Sequence, residues 1–116
     1  MEIGFTKVDA VDWLTDDRWI VFGYDSGFGQ YLEQCYFKPG TQKNAEFEGM
    51  VSPAVVNGVP GIVAFIRIRD TIENRDSLRA ALAEFHGKHL LTLAELDAGI
   101  EATRRKIKET ILPILR

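Results

Sequence analysis

The chain has 116 residues, a net charge of −3 and a hydrophobic content of 46%, which suits a globular protein that buries a core without metal or disulfides. The acidic balance disfavours nucleic acid as a partner, although residues 101–116, with five basic and two acidic side chains, carry a net charge of +3. The length predicts one domain, spanning residues 1–116.

Three observations predict a cytoplasmic location. The single cysteine, Cys35, cannot form a disulfide within the chain, which favours a reducing compartment. Residues 1–4 lack the basic and apolar regions of a signal peptide. The longest uncharged stretch, residues 49–66, is interrupted by prolines and glycines, so we expect no membrane partner.

The two parts of the chain differ in composition. Eleven of the twelve aromatic residues and eight of the ten glycines lie in the first 65 positions. From residue 71 onward the chain is rich in Leu, Ala, Glu, Lys and Arg, which favour helices, whereas aromatic residues favour strands. The sequence therefore predicts an α+β fold, in which an antiparallel sheet of three to five strands packs on two C-terminal helices.

The N-terminal part begins with a predicted short helix over residues 9–14, capped by Thr6 or Asp9. Residues 19–24 are aromatic or β-branched and predict a strand, followed by a turn at 25–27 in which glycine takes positive φ. Residues 28–37 are ambiguous. Their aromatic content favours a strand that pairs with the first one, whereas a helix would share a stripe formed by Phe28, Tyr31, Leu32, Cys35 and Tyr36.

A second hairpin is predicted after the loop at 38–44. Residues 46–51 and 54–56 look extended, with Pro53 marking an edge or a bulge. Asn57-Gly58 predicts a type I′ turn, and residues 62–69 form the returning strand. The first C-terminal helix is then expected to begin at Asp70 or Asn74 and to end at Gly87.

The second C-terminal helix has a capping box, Thr92 and Glu95, and is predicted to reach about Leu112. Apolar residues recur on it with seven-residue spacing, which is typical of a seam between helices. The stripe either joins a second copy of the chain or packs on the chain's own sheet. The candidate interface residues are Leu93, Leu96, Ile100, Ile107 and Ile111.

A candidate ligand site involves the strand at 62–69. Arg67 and Arg69 share one face of this strand, and Tyr24, Tyr31 and Tyr36 would add an aromatic floor if they lay on that face. Such a site suits an anionic or planar ligand or a protein partner. The alternative is that both arginines pair with acidic side chains at the end of the strand.

No motif identifies a reaction, so whether the protein is an enzyme stays open, with the balance against it. Glu84, His86 and His89 have the residue types of metal ligands, but Gly87 should end the helix between the histidines and separate their rings. We therefore predict no metal and no cofactor.

The predicted function is a non-catalytic protein-binding or regulatory module that acts as a homodimer. Its basis is that the strands at 19–24 and 62–69 begin with apolar side chains on both faces, of which two helices can cover only one. The other face needs sheet curvature, the N-terminal segment or a second subunit as its cover. The alternative is a small-ligand-binding protein or enzyme with an anion-binding aromatic and arginine pocket between sheet and helices, with Asp25 or Glu33 as acid or base.

Overall fold

The computed structural model describes residues 7–24, 27–35 and 47–116. Several features named in the sequence analysis lie outside the described residues, namely the loop at 38–44, the cap Thr6, Asp25 and Tyr36. The side chain of Cys35 is not described either. Within these ranges, every helix is too short or too polar to cross a lipid bilayer. The elements are α1 (Lys7–Thr15), β1 (Trp19–Gly23), α2 (Phe28–Cys35), β2 (Phe47–Val56), β3 (Val59–Arg69), α3 (Ile72–His86), α4 (Leu93–Lys106), a π-helical turn (Ile107–Ile111) and a 3₁₀ turn (Leu112–Ile114).

The strands form an antiparallel sheet in the order β1-β3-β2. The hairpin of β2 and β3 turns at Asn57 and Gly58, whose φ values of 52° and 78° have the positive sign that a type I′ turn requires. The predicted turn is confirmed. The structure also confirms the α+β fold, with three strands, a short N-terminal helix and C-terminal helices.

Each face of the sheet has its own apolar core, because successive side chains of a strand point to opposite faces. The face covered by α2, α3 and α4 is called the α3 face. Its core contains Ile20, Phe28, Leu32, Ile66, Ile68, Leu78, Ala81, Leu96 and Ile100. The opposite face is called the α1 face. Its core contains Ala10, Leu14, Val21, Met50, Phe65, Ile107 and Leu115.

The C-terminal part of the chain contributes to both faces. α4 begins on the α3 face and passes the outer edge of β1, where Arg104 donates to the backbone oxygens of Asp17 and Trp19 at 3.2 and 3.1 Å. The turns after α4 lie on the α1 face, and Leu115 forms a single bridge with Ala54 of β2. The chain's own segments therefore shelter apolar side chains on both faces, which removes the argument that a second subunit must cover one of them.

The prediction of a strand over residues 28–37 was wrong, because the structure has α2 at Phe28–Cys35. Phe28 and Leu32 lie one helical turn apart and are both buried against the sheet, at 7% and 0% exposure. Gly29 faces the end of β1 so closely that an added Cβ would lie 2.8 Å from the carbonyl oxygen of Gly23. Gly27, just before the helix, has the positive φ predicted for it, at 84°.

The first C-terminal helix begins near Asp70, as predicted, but its cap is neither Asp70 nor Asn74. Thr71 is the N-cap of α3, and its hydroxyl accepts from the backbone N–H of Asn74 at 3.0 Å. The buried amide of Asn74 donates instead to the carbonyl oxygen of Arg69 at 2.8 Å, while Asp70 forms ion pairs. Gly87 ends the helix in the left-handed conformation, at φ of 64°, as predicted.

The capping box of the second C-terminal helix is present. Glu95 N–H donates to the Thr92 hydroxyl at 3.1 Å, and Thr92 N–H donates to the Glu95 carboxylate at 2.9 Å. The bond from the Thr92 N–H to the Glu95 carboxylate lowers the pKa of Glu95 because it favours the charged form. Regular α-helix ends at Lys106, and the chain continues through the π-helical and 3₁₀ turns, so the helical run extends to Ile114 rather than to about Leu112.

Candidate functional site

The two predicted ligand-binding tyrosines pack beside the core of the α3 face. The Tyr24 hydroxyl donates to Glu33 at 2.7 Å, and this hydrogen bond raises the pKa of Tyr24. The Tyr31 hydroxyl donates to Glu84 of α3. These two hydrogen bonds therefore link α2 to Tyr24, which follows β1, and to α3.

The two predicted ligand-binding arginines lie on the opposite, α1 face. The guanidinium of Arg67 lies between two indole rings, 4.4 Å from the centroid of Trp13 and 4.2 Å from that of Trp19. Arg69 stacks on Trp19 at 4.6 Å. Arg67 also bonds Glu48 at 2.6 Å and the carbonyl oxygen of Trp13 at 2.9 Å. The structure therefore does not bring the tyrosines and arginines together, and Arg67 is engaged within the fold.

The predicted interface residues of the last helix face the chain's own sheet. Leu96, Ile100 and Ile107 are buried at 3–4% exposure, and Ile111 is partly buried beside them. Leu93 is 48% exposed. Within the single chain these buried side chains therefore pack intramolecularly, which is the alternative stated for the stripe, and a seam with a second copy stays a prediction.

The basic C-terminal segment divides into paired and unpaired cations. Arg104 bonds Asp70 at 3.2 Å in addition to its backbone contacts, and Arg75 also binds Asp70, at 2.8 Å. Arg75 first and Arg104 second hold the pKa of Asp70 below its usual value. Lys106 and Lys108 form no ion pair within the described part of the chain.

β3 has an edge that is not covered along its full length. β1 pairs only with the second half of β3, and its ladder ends where Gly23 meets Phe65. On that side, among residues 7–24, 27–35 and 47–116, no strand pairs with β3 before Phe65. Two exposed apolar side chains lie on this first half, since Val59 is 66% and Ile62 is 71% exposed.

The register shows which backbone groups face this open edge. In a two-residue hairpin the flanking residues, here Val56 and Val59, form a hydrogen-bonded pair, and the two kinds of pair alternate from there. Pro53 and Ile62, three steps on, are then a non-hydrogen-bonded pair whose backbone groups point away from the hairpin. The N–H of Arg116 donates to the outward carbonyl of Pro53 at 3.3 Å, which agrees with this register. The N–H and C=O of Ile62 therefore face the open edge.

A cleft of about 380 Å³ adjoins the open edge where β1 ends. It lies between β3 and the C-terminal helical segment. The apolar side chains that line it are Phe22, Val63, Ala64, Phe65, Ile107 and Ile111. Its polar lining comes from Gly23, Thr103 and Lys106, of which only Lys106 is ionisable. Sequence reasoning missed this site, because it depends on the different lengths of β1 and β3.

The described residues contain no group of three or more His, Cys, Asp or Glu side chains that could hold a metal ion. His86 lies among aromatic rings, with centroids 6.4 Å from Phe28 and 5.0 Å from Phe85. Comparison with known proteins found no matching family model, no matching curated protein and no matching solved structure. The open edge of β3 and its cleft are therefore the features of the molecule that bear on function.

Proposed function

We propose that this protein is a non-catalytic binding module that adds an extended segment of a partner protein to the open edge of β3. The observation that carries the proposal is that β1 covers only Phe65–Arg69 of a strand that begins at Val59. Unpaired N–H and C=O groups at a strand edge are a template for another strand.

The side chains around this edge support the proposal. Strand edges that must stay free are usually protected by charged side chains, but residues 51–66 carry none. Pro60 removes one outward N–H, so Ile62 is the residue furthest from the end of β1 that offers both a donor and an acceptor, and Ala64 follows it on the same edge. Elsewhere on the hairpin, the outer edge of β2 is occupied by Leu115 and Arg116 at Pro53 and Ala54.

The expected affinity is modest. The outward backbone groups furthest from the end of β1 are the C=O of Pro60 and the N–H and C=O of Ile62, and they contribute about 0.5–1.5 kcal/mol each when paired. Covering the Ile62 side chain adds up to about 2 kcal/mol. Because association has its own entropic cost, we expect a Kd on the order of micromolar or weaker, which suits a transient contact.

A pair of variants at one position tests the proposal. Ile62→Pro removes the outward N–H but leaves the hydrogen bonds to β2, because Ile62 faces Pro53 in a non-hydrogen-bonded pair. Ile62→Ala removes the side chain and keeps the N–H. Peptides selected from a random phage-displayed library against the wild-type protein should lose binding to Ile62→Pro and keep part of it with Ile62→Ala.

Circular dichroism and urea unfolding confirm that both variants are folded. Selected peptides that bind Ile62→Pro as well as they bind the wild type would contradict strand addition, and so would a library from which no peptide is enriched.

The homodimer stays part of the proposal on different grounds. Antiparallel pairing of an edge with the same edge of a second copy satisfies two-fold symmetry, so the open half of β3 is a self-complementary surface. Size-exclusion chromatography with light scattering should give a dimer that Ile62→Pro converts to a monomer. A wild-type protein that is monomeric at micromolar concentration removes the dimer and leaves binding of another protein.

A further inference from the structure

The cleft at the end of β1 is continuous with the open edge of β3. Val63 and Ala64 belong to the first half of β3 and also line the cleft. A strand that continued along the line of β1 would therefore pass its mouth. The volume of about 380 Å³ lies within the range of small binding pockets and exceeds that of any one side chain.

The lining of the cleft combines apolar side chains with one positive charge, that of Lys106. Lys106 is exposed, it is the only ionisable residue among the described residues of the lining, and none of them forms an ion pair with it. Thr103, the other polar side chain, already donates to the carbonyl oxygen of Gly99 at 3.0 Å. An ammonium group beside an apolar cleft favours an occupant that combines an apolar group with a carboxylate.

We propose that this cleft is the specificity pocket of the module, holding one large apolar side chain of the bound segment while Lys106 binds an acidic side chain next to it. This inference rests on the proposed function, since it assigns the partner of the same edge. The partner is an extended segment of another protein that carries an apolar residue beside Asp or Glu. The hairpin of a second copy can pair with the edge in the proposed dimer, but it supplies no acidic side chain for Lys106, because residues 51–66 contain no carboxylate, so the partner segment competes with dimerisation for the edge.

Reversal of charge tests the inference. Peptides are selected from the random phage-displayed library on the wild type, on Lys106→Glu and on Lys108→Glu. Lys108 is exposed and lies two residues along the chain from Lys106 without lining the cleft, and its variant makes the same change in net charge. Wild type and Lys108→Glu should enrich apolar residues next to Asp or Glu, whereas Lys106→Glu should enrich Lys or Arg there. A selected acidic peptide should bind Lys106→Glu at least about tenfold more weakly.

The outcomes separate this inference from the proposed function. Peptides that lack acidic enrichment, or that bind Lys106→Glu unchanged while Ile62→Pro abolishes binding, overturn the inference and leave strand addition intact. Loss of all peptide enrichment overturns both. Decanoate, a free carboxylate with an apolar chain, is tested separately by its effect on thermal unfolding. Decanoate binding that depends on Lys106, without any peptide enrichment, identifies a small-molecule pocket and refutes a docking role.

Discussion

Replacing Arg67 with alanine removes the cation that lies between the rings of Trp13 and Trp19. Each cation–π contact in a site with little water contributes up to about 2 kcal/mol, and the charged hydrogen bond to the Trp13 carbonyl contributes about 1.5–3 kcal/mol. The pair with Glu48, whose side chain is 45% exposed, adds at most about 1 kcal/mol. Part of this loss is offset, because the alanine variant no longer has to remove a guanidinium from water on folding. We therefore expect the free energy of unfolding to fall by about 3 kcal/mol.

The matched control is Arg69→Ala. Arg69 lies two residues further along the same face of β3, but it is exposed and stacks on Trp19 alone. Its removal should cost about 0.5–1 kcal/mol, since one exposed cation–π contact is lost. Urea unfolding followed by tryptophan fluorescence measures both, and the dependence of unfolding free energy on urea should not change. Equal losses for the two variants would refute the view that the double stack and burial make Arg67 the more important arginine.

Further variants test the local geometry. Thr92→Ala removes half of the capping box and should lower the unfolding free energy by about 1 kcal/mol in urea. Gly29→Ala should lower the unfolding free energy by about 1–3 kcal/mol, since its Cβ would clash with the last residue of β1. Gly99→Ala in α4 meets no atom within 4 Å and should raise it by about 0.5–1 kcal/mol. Equal thermal midpoints for the two variants would contradict this reasoning. Arg75 lowers the folded-state pKa of Asp70, so Asp70 contributes stability above its unfolded pKa that is lost as pH falls through its folded pKa. In Asp70→Asn the urea midpoint should therefore fall less steeply than in the wild type as the pH is lowered below about 4. An unchanged dependence of the urea midpoint on pH in this range would exclude Asp70 as its source.

Local signals in the sequence predicted the features that depend on a few neighbouring residues. Asn57-Gly58, Gly87 and the pair of Thr92 and Glu95 each satisfy backbone groups within one turn, so their outcome does not depend on the rest of the fold. The strand predicted at 28–37 failed because the fit of α2 against β1 and α3 outweighs the strand preference of its aromatic residues.

The candidate site could not be predicted because it depends on contacts between distant parts of the chain. Arg67 binds the carbonyl of a residue 54 positions away, Trp13, and no spacing rule in the sequence brings the two together. The open edge needs the relative lengths of β1 and β3, and strand ends are set by packing as well as by residue type. One signal lies in the sequence itself, namely the uncharged stretch at 49–66, which was related there only to a membrane span and not to a strand edge.

The path of the C-terminal segment has a consequence for how the protein is made. Ala10 and Leu14 share the core of the α1 face with Ile107 and Leu115, so this core joins the first described helix to the last bridge. During synthesis these two pairs of residues leave the ribosome about a hundred codons apart. The apolar side chains of the α1 face therefore stay exposed to solvent until Leu115 has left the exit tunnel. The nascent chain therefore completes its fold in a late step, and a chaperone that shields Val21 and Phe65 would act in the interval before it.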